Sequence, residues 1–145
     1  MGDKVSIKLL SSNDVGLLSN VHADVFDGPL RADRVHAYLA QPGHLLMVAL
    51  ANDLVIAQLA AIVHRHPDKP TELYIDEVAV AEPWQRQGIA AAMLRRMLAH
   101  SRTLGCEVAW LATEADNVAA RALYERFERE PAQTIIMSVF DLGEP

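Results

Sequence analysis

Gln85-Arg86-Gln87-Gly88-Ile89-Ala90 places a glycine and an alanine where a helix should begin. The free N–H groups and positive dipole end of a helix start favour phosphate, and small residues let it approach the backbone. Arg86 can add charge-assisted bonds to the same anion, or stay solvated. The pattern is neither a P-loop, which needs GxxxxGK[ST], nor a dinucleotide fingerprint, which needs GxGxxG. Taken alone, it fits a plain helix start equally well. Upstream, Asp76 and Glu77 are adjacent carboxylates in a β-rich run, where either could accept a proton or hold a cation. Consecutive strand residues face opposite sides, so one of the two should reach a given ligand, and a bulge would decide which. Downstream, Asn117 and Tyr124 are seven residues apart, two helical turns, and share one face. Asn117 also suits a helix cap, and Tyr124 a buried tyrosine with a hydrogen-bond partner.

The elements that must position these residues follow from periodicity. Val5, Ile7 and Leu9 alternate with polar residues and predict a first strand. Ser11 or Ser12 caps a helix whose apolar positions run from Val15 to Val25, until Asp27-Gly28-Pro29 breaks it. A short helix spans about Arg31 to Ala40. Leu45 to Ala51 and Leu54 to Val63 are strands joined through Asn52-Asp53, residue types that suit a tight hairpin. A loop from His64 to Thr71 leads to the strand Glu72 to Val80. From Gly88 to Leu104 the apolar positions describe an amphipathic helix closed by Gly105. Glu107 to Thr113 reads as a buried strand, paired in parallel with the one before the helix. A helix over Asn117 to about Glu128 and a final strand over Thr134 to Asp141 complete the order β-α-α-β-β-β-α-β-α-β, an α/β chain with a mixed sheet.

The 145 residues suit one domain, and no repeat or linker divides them. The apolar runs are too interrupted to span a membrane, and the N-terminus lacks a signal-peptide layout, so a cytoplasmic protein is expected. A net charge of −6 disfavours a nucleic-acid backbone and suits a cationic or neutral partner. Cys106 stands alone, without an internal disulfide partner, and reads as packing or a reactive thiol. No Cys or His pairing has zinc-ligand spacing. His64 and His66 flank the loop as solvated residues or proton relays. Trp84 beside Pro83 reads as a loop anchor or, alternatively, a substrate platform.

In its strand-turn-helix setting, the cradle resembles the Q/R-x-x-G-x-G/A acetyl-CoA signature of the GCN5-related N-acetyltransferase (GNAT) superfamily. Asn117-Val118-Ala119-Ala120-Arg121-Ala122-Leu123-Tyr124 resembles the Asn…Ala…Leu-Tyr segment of that superfamily's last helix. Together with Glu72–Val80 and the closing Val139-Phe140-Asp141-Leu142, these stretches look most like the small gentamicin-modifying aminoglycoside 3-N-acetyltransferases. Two departures stand out. Arg126-Phe127-Glu128-Arg129-Glu130-Pro131 lacks the usual glycine turn, and only one strand follows the tyrosine helix. The second departure implies an open edge or a partner-supplied strand, and hence a homodimer.

The resemblance implies acetyl-CoA as donor, a small cationic amine as acceptor and no metal. Val78, Ala79 and Val80 would hold the pantetheine arm by strand-like bonds, a strand amide near Val78 would stabilise the thioester oxygen, and Gln85 to Ala90 with Asn117 would complete the donor site. Because an amine is mostly protonated at pH 7, attack needs a base; Glu77 is favoured, with Asp76 as alternative. Tyr124 would protonate the departing thiolate. Asp24, Asp27, Asp76, Glu77, Glu114 and Asp116 would form acidic walls for the acceptor. Other acceptors, a polyamine or protein N-terminus, are compatible with the same residues. So is a CoA-binding sensor that has lost its chemistry.

Overall fold

The computed structural model describes residues 4–145, which fall into two units, residues 4–112 and 113–145. In the first unit, five strands lie side by side in chain order: β1 (Val5–Leu9), β2 (His44–Ala51), β3 (Leu54–His64), β4 (Glu72–Val80) and β5 (Val108–Trp110). β1 to β4 are antiparallel, and β5 joins β4 in parallel. This is the mixed sheet the sequence predicts. Asn52, in the β2–β3 turn, adopts φ 54°, the left-handed conformation that an Asn-Asp hairpin turn requires.

Apolar residues cover both faces. Leu46, Val48 and Leu50 alternate along β2 and join a cluster with Leu18 and Val25, against which Val35 and Tyr38 of α1 (Ala32–Ala40) pack. On the sheet's other side, α2 (Ile89–Thr103) buries Ile89, Met93, Leu94 and Met97 and packs on β2, β3 and β4. Cys106 is buried, which pushes its thiol above the ordinary range, so it is packing rather than a reactive thiolate.

Three elements differ from expectation. The first helix is a 3₁₀ segment, Ser12–Ser19, although its predicted start is right: Ser11 and Asp14 form a capping box. Gly16 and Asn20 disfavour continuation, and Val21 instead bridges Val55 beside β3. β5 is shorter than Glu107–Thr113 and is exposed, with Val108 at 49% and Trp110 at 42%. The third difference lies in the second unit, where α3 (Val118–Glu125) is the only regular element. Thr134–Asp141 forms no strand there. A run rich in β-branched and aromatic residues supplies the propensity but not the neighbour, and among the described residues no strand pairs with it. Ile136 and Phe140 remain 93% and 81% exposed.

Candidate active site

β4 starts as a fully paired strand and then loses one neighbour. Its pairing with β5 covers only Glu72, Leu73 and Tyr74, so from Ile75 to Val80 it is bonded on the β3 side alone. An edge of this kind offers backbone donors and acceptors to an extended ligand. Val78, Ala79 and Val80, the residues predicted to hold an extended arm, lie on it and are partly exposed.

The chain then turns through Glu82–Trp84 into the cradle. Arg86 and Gly88 adopt φ 63° and 80°, and Gly88 caps α2 without a side chain to satisfy the first N–H groups. No acidic residue stands in the first turn, and a Cβ built on Gly88 would meet nothing within 4 Å. Bare helix-start donors facing open space suit an anion. Gln85 does not reach outward: its side chain donates to Val80 O at 2.9 Å and ties the cradle to the strand end. Gln87 donates to Pro83 O at 3.3 Å. Ile89 is buried and Ala90 partly so, which leaves Arg86 and the backbone for the ligand. Val80, Gln85, Arg86 and Asp24 line a cleft of about 490 Å³. Asp24 lines this cleft, and its carboxylate accepts from the Glu82 N–H at 3.3 Å. Trp84 is partly buried against the core and meets His22 edge-on at 5.9 Å, which makes it the loop anchor.

The two carboxylates do not alternate as a regular strand would have them. Ala60 pairs with Glu77 but Ala61 with Ile75, so Asp76 is an extra residue in β4, a β-bulge. Asp76 and Glu77 consequently line one cleft of about 270 Å³, in place of the single acid expected. Burial pushes the Glu77 carboxyl above its ordinary range, with the Asp27 and Asp76 charges adding to the effect and a hydrogen bond from Gln58 opposing it. Asp27 is thereby placed near Glu77. Tyr38 forms part of the wall; its hydroxyl donates to Leu45 O at 2.8 Å, and burial pushes it up to about 12. A phenol so engaged is structural.

Gln58 is the residue that sequence reasoning missed. It lines the same cleft, is fully buried, and its Oε1 has no hydrogen-bond partner. A buried orphan acceptor beside a carboxylate is what a bound ammonium would satisfy. The available signal was one amide inside the apolar strand Leu54–His64.

In the second unit, Asn117 caps α3, its side chain accepting from Ala120 N at 3.1 Å. Tyr124 is partly buried in that helix, and burial raises its phenol, keeping it protonated at neutral pH. Glu114 and Asp116 are exposed ahead of the cap.

Residues 18–128, more than three quarters of the chain, match the acetyltransferase (GNAT) family. The chain belongs to this family. Among solved structures, this acetyltransferase is similar in fold to an aminoglycoside acetyltransferase, meta-AAC0020, from an uncultured soil metagenomic sample in complex with sisomicin. The two are 19% identical, with a TM-score of 0.82 over 96% of this chain and 97% of the other. It is also similar to the aminoglycoside N-acetyltransferase AAC(6')-Iy in complex with CoA: 14% identity, TM-score 0.77, 97% of each chain. A ribosomal-protein-alanine N-acetyltransferase from Brucella melitensis biovar Abortus 2308 matches with 16% identity and a TM-score of 0.71, over 95% of this chain and all of the other. Curated protein sequences give no significant match.

Proposed function

We propose that the chain works as one domain and transfers an acetyl group from acetyl-CoA to a primary amine held at the Asp76–Glu77 bulge. The observation that carries this reading is the bulge itself: it sets two carboxylates and the Gln58 amide in one cleft on the strand whose far end opens into the cradle. The cradle fits a pyrophosphate: uncapped helix-start donors, open space over Gly88 and the Arg86 guanidinium all favour it. The edge of β4 from Ile75 to Val80 fits a pantetheine arm. Bound there, acetyl-CoA would supply an activated acyl group. The chain's own groups do the rest. Asp76 and Asp27 hold the incoming ammonium until Glu77 takes its proton; the neutral amine would then attack the thioester carbon, and Tyr124, the proton donor that the family resemblance suggests, would protonate the thiolate as the C–S bond breaks.

An aminoglycoside is the leading acceptor, supported by the acid pair and by the activity named for the structural relatives. A second reading rests on the cleft: Arg31 and Arg34 line it along with apolar side chains such as Phe26, Leu30 and Leu39. Its roughly 270 Å³ lies just below the ~300–1,000 Å³ of drug-sized sites. Those features suit an amine with one charge and an apolar body. A thiol-release assay over gentamicin-class aminoglycosides, polyamines, aryl-alkyl amines and peptide N-termini separates the readings. Turnover with aminoglycosides alone supports the first, turnover confined to apolar monoamines the second. CoA binding without acetyl release for any acceptor would sink both.

Gln58→Leu offers a test independent of the acceptor's name. Leucine removes the orphan oxygen but also the bonds that the amide donates to Val25 O, at 3.5 Å, and to Glu77, so the melting temperature should change little. The acceptor kcat/KM should fall about tenfold or more, since a hydrogen bond to a charged group is worth roughly 1.5–3 kcal/mol. The Gln58 bond lowers the Glu77 pKa, so its loss should move the acid limb of the pH–rate profile to higher pH.

A further inference from the structure

We infer that the turn joining β3 to β4 is a binding site for a late first-row divalent metal, with His64, His66 and Glu72 as ligands. Antiparallel pairing places His64 directly opposite Glu72, and His66 folds back beside them with the two imidazoles 4.2 Å apart. His66 Nε2 lies 3.2 Å from Glu72 Oε2, and both side chains are largely buried, at 12% and 22% exposure. One ligand atom from each of the three residues lies within 4.8 Å of the others. Although the carboxylate is at ion-pair distance, His66 Nε2 is a buried nitrogen without a hydrogen-bond partner. A buried ring nitrogen 3.2 Å from a carboxylate oxygen and lacking a hydrogen bond of good geometry is a candidate ligand atom.

Two imidazoles and a carboxylate form a three-ligand zinc set with one coordination position left open. Tetrahedral ligands at 2.0–2.1 Å from zinc sit roughly 3.3–3.4 Å apart, close to the 3.2 Å between His66 and Glu72. His64 is exposed, and its ligand nitrogen already lies within the 4.8 Å that the three ligand atoms span. Imidazole donors select zinc, nickel or copper over magnesium and calcium. Arg65 and Lys69 lie in the same turn and oppose a cation, which sets the affinity below that of a cysteine-rich structural site. Spacing along the chain conceals the set because Glu72 is brought in by strand pairing. Glu72 also stands five residues before Glu77, roughly 16 Å along a strand. The ion would therefore clip β3 to β4 without touching the reacting atoms.

The test is a Zn²⁺ titration of tag-free protein against a chromophoric chelator, paired with thermal melts with and without Zn²⁺. One Zn²⁺ per chain and a raised melting temperature are expected for the parent protein. His66→Ala and, separately, Glu72→Gln should weaken Zn²⁺ binding at least tenfold and remove the thermal shift, whereas His36→Ala on α1 should change neither. Melts without metal establish that each variant is folded, and His64→Ala replaces any that is not. Failure of the parent to bind Zn²⁺, or binding unchanged in His66→Ala and Glu72→Gln, overturns the site.

Discussion

Glu77→Gln is expected to lower kcat by about 10²–10⁴-fold, the range that a positioned general base contributes, while CoA affinity stays within about twofold. The pH profile gives the sharper test. Glu77 acts when ionised, so activity falls as pH drops through its pKa; because burial raises that pKa, the fall should begin at higher pH than for an ordinary carboxylate. Glu77→Gln should erase this limb. Stability should respond the other way. A carboxyl whose folded pKa exceeds its unfolded one stabilises the fold below the unfolded pKa, and that contribution is lost as pH rises through the folded pKa. At pH 7 to 8 the glutamate is thus a burden, and glutamine should leave the melting temperature unchanged or slightly raised. A residue with a merely structural role would instead lose stability and activity together.

Gly88→Val is expected to raise the dissociation constant for CoA about tenfold to hundredfold. Valine's Cβ would project into the open space above the helix start, at the uncapped N–H groups. Each lost hydrogen bond to a charged group is worth roughly 1.5–3 kcal/mol. Some stability is lost as well, since a left-handed conformation costs a residue bearing a Cβ about 1–2 kcal/mol. Gly105→Val controls for that cost. Gly105 has φ 88° and equally open surroundings, but follows α2 at the end opposite the cradle. A similar drop in melting temperature with CoA binding intact should follow, by calorimetry on both variants. Equal loss of CoA affinity in the two would show that Gly88 matters only for folding.

What could be read from the sequence was what is decided locally. β4 runs from Glu72 to Val80 as expected, the hairpin turns at Asn52, and Gly88 caps α2, because alternation, turn residues and glycine each act within a few positions. Register is not local. The bulge at Asp76 depends on how Ala60 and Ala61 meet β4, and no pattern within β4 announces it. The same blindness hid Gln58, an unremarkable amide until pairing sets it beside Glu77, and the facing of His64 and Glu72. For the closing run, propensity misled: Thr134–Asp141 has every local property of a strand except an edge to join.

That bare run bears on handling the protein. Thr134-Ile135-Ile136-Met137-Ser138-Val139-Phe140 carries no charge and no proline, is rich in β-formers, and ends at Asp141, the first charged residue after Glu130. Short segments of that composition stack into cross-β fibrils when left uncovered. Shelf life in concentrated stocks should therefore depend on these few residues more than on the melting temperature of the sheet, and one lysine at Met137 should lengthen it.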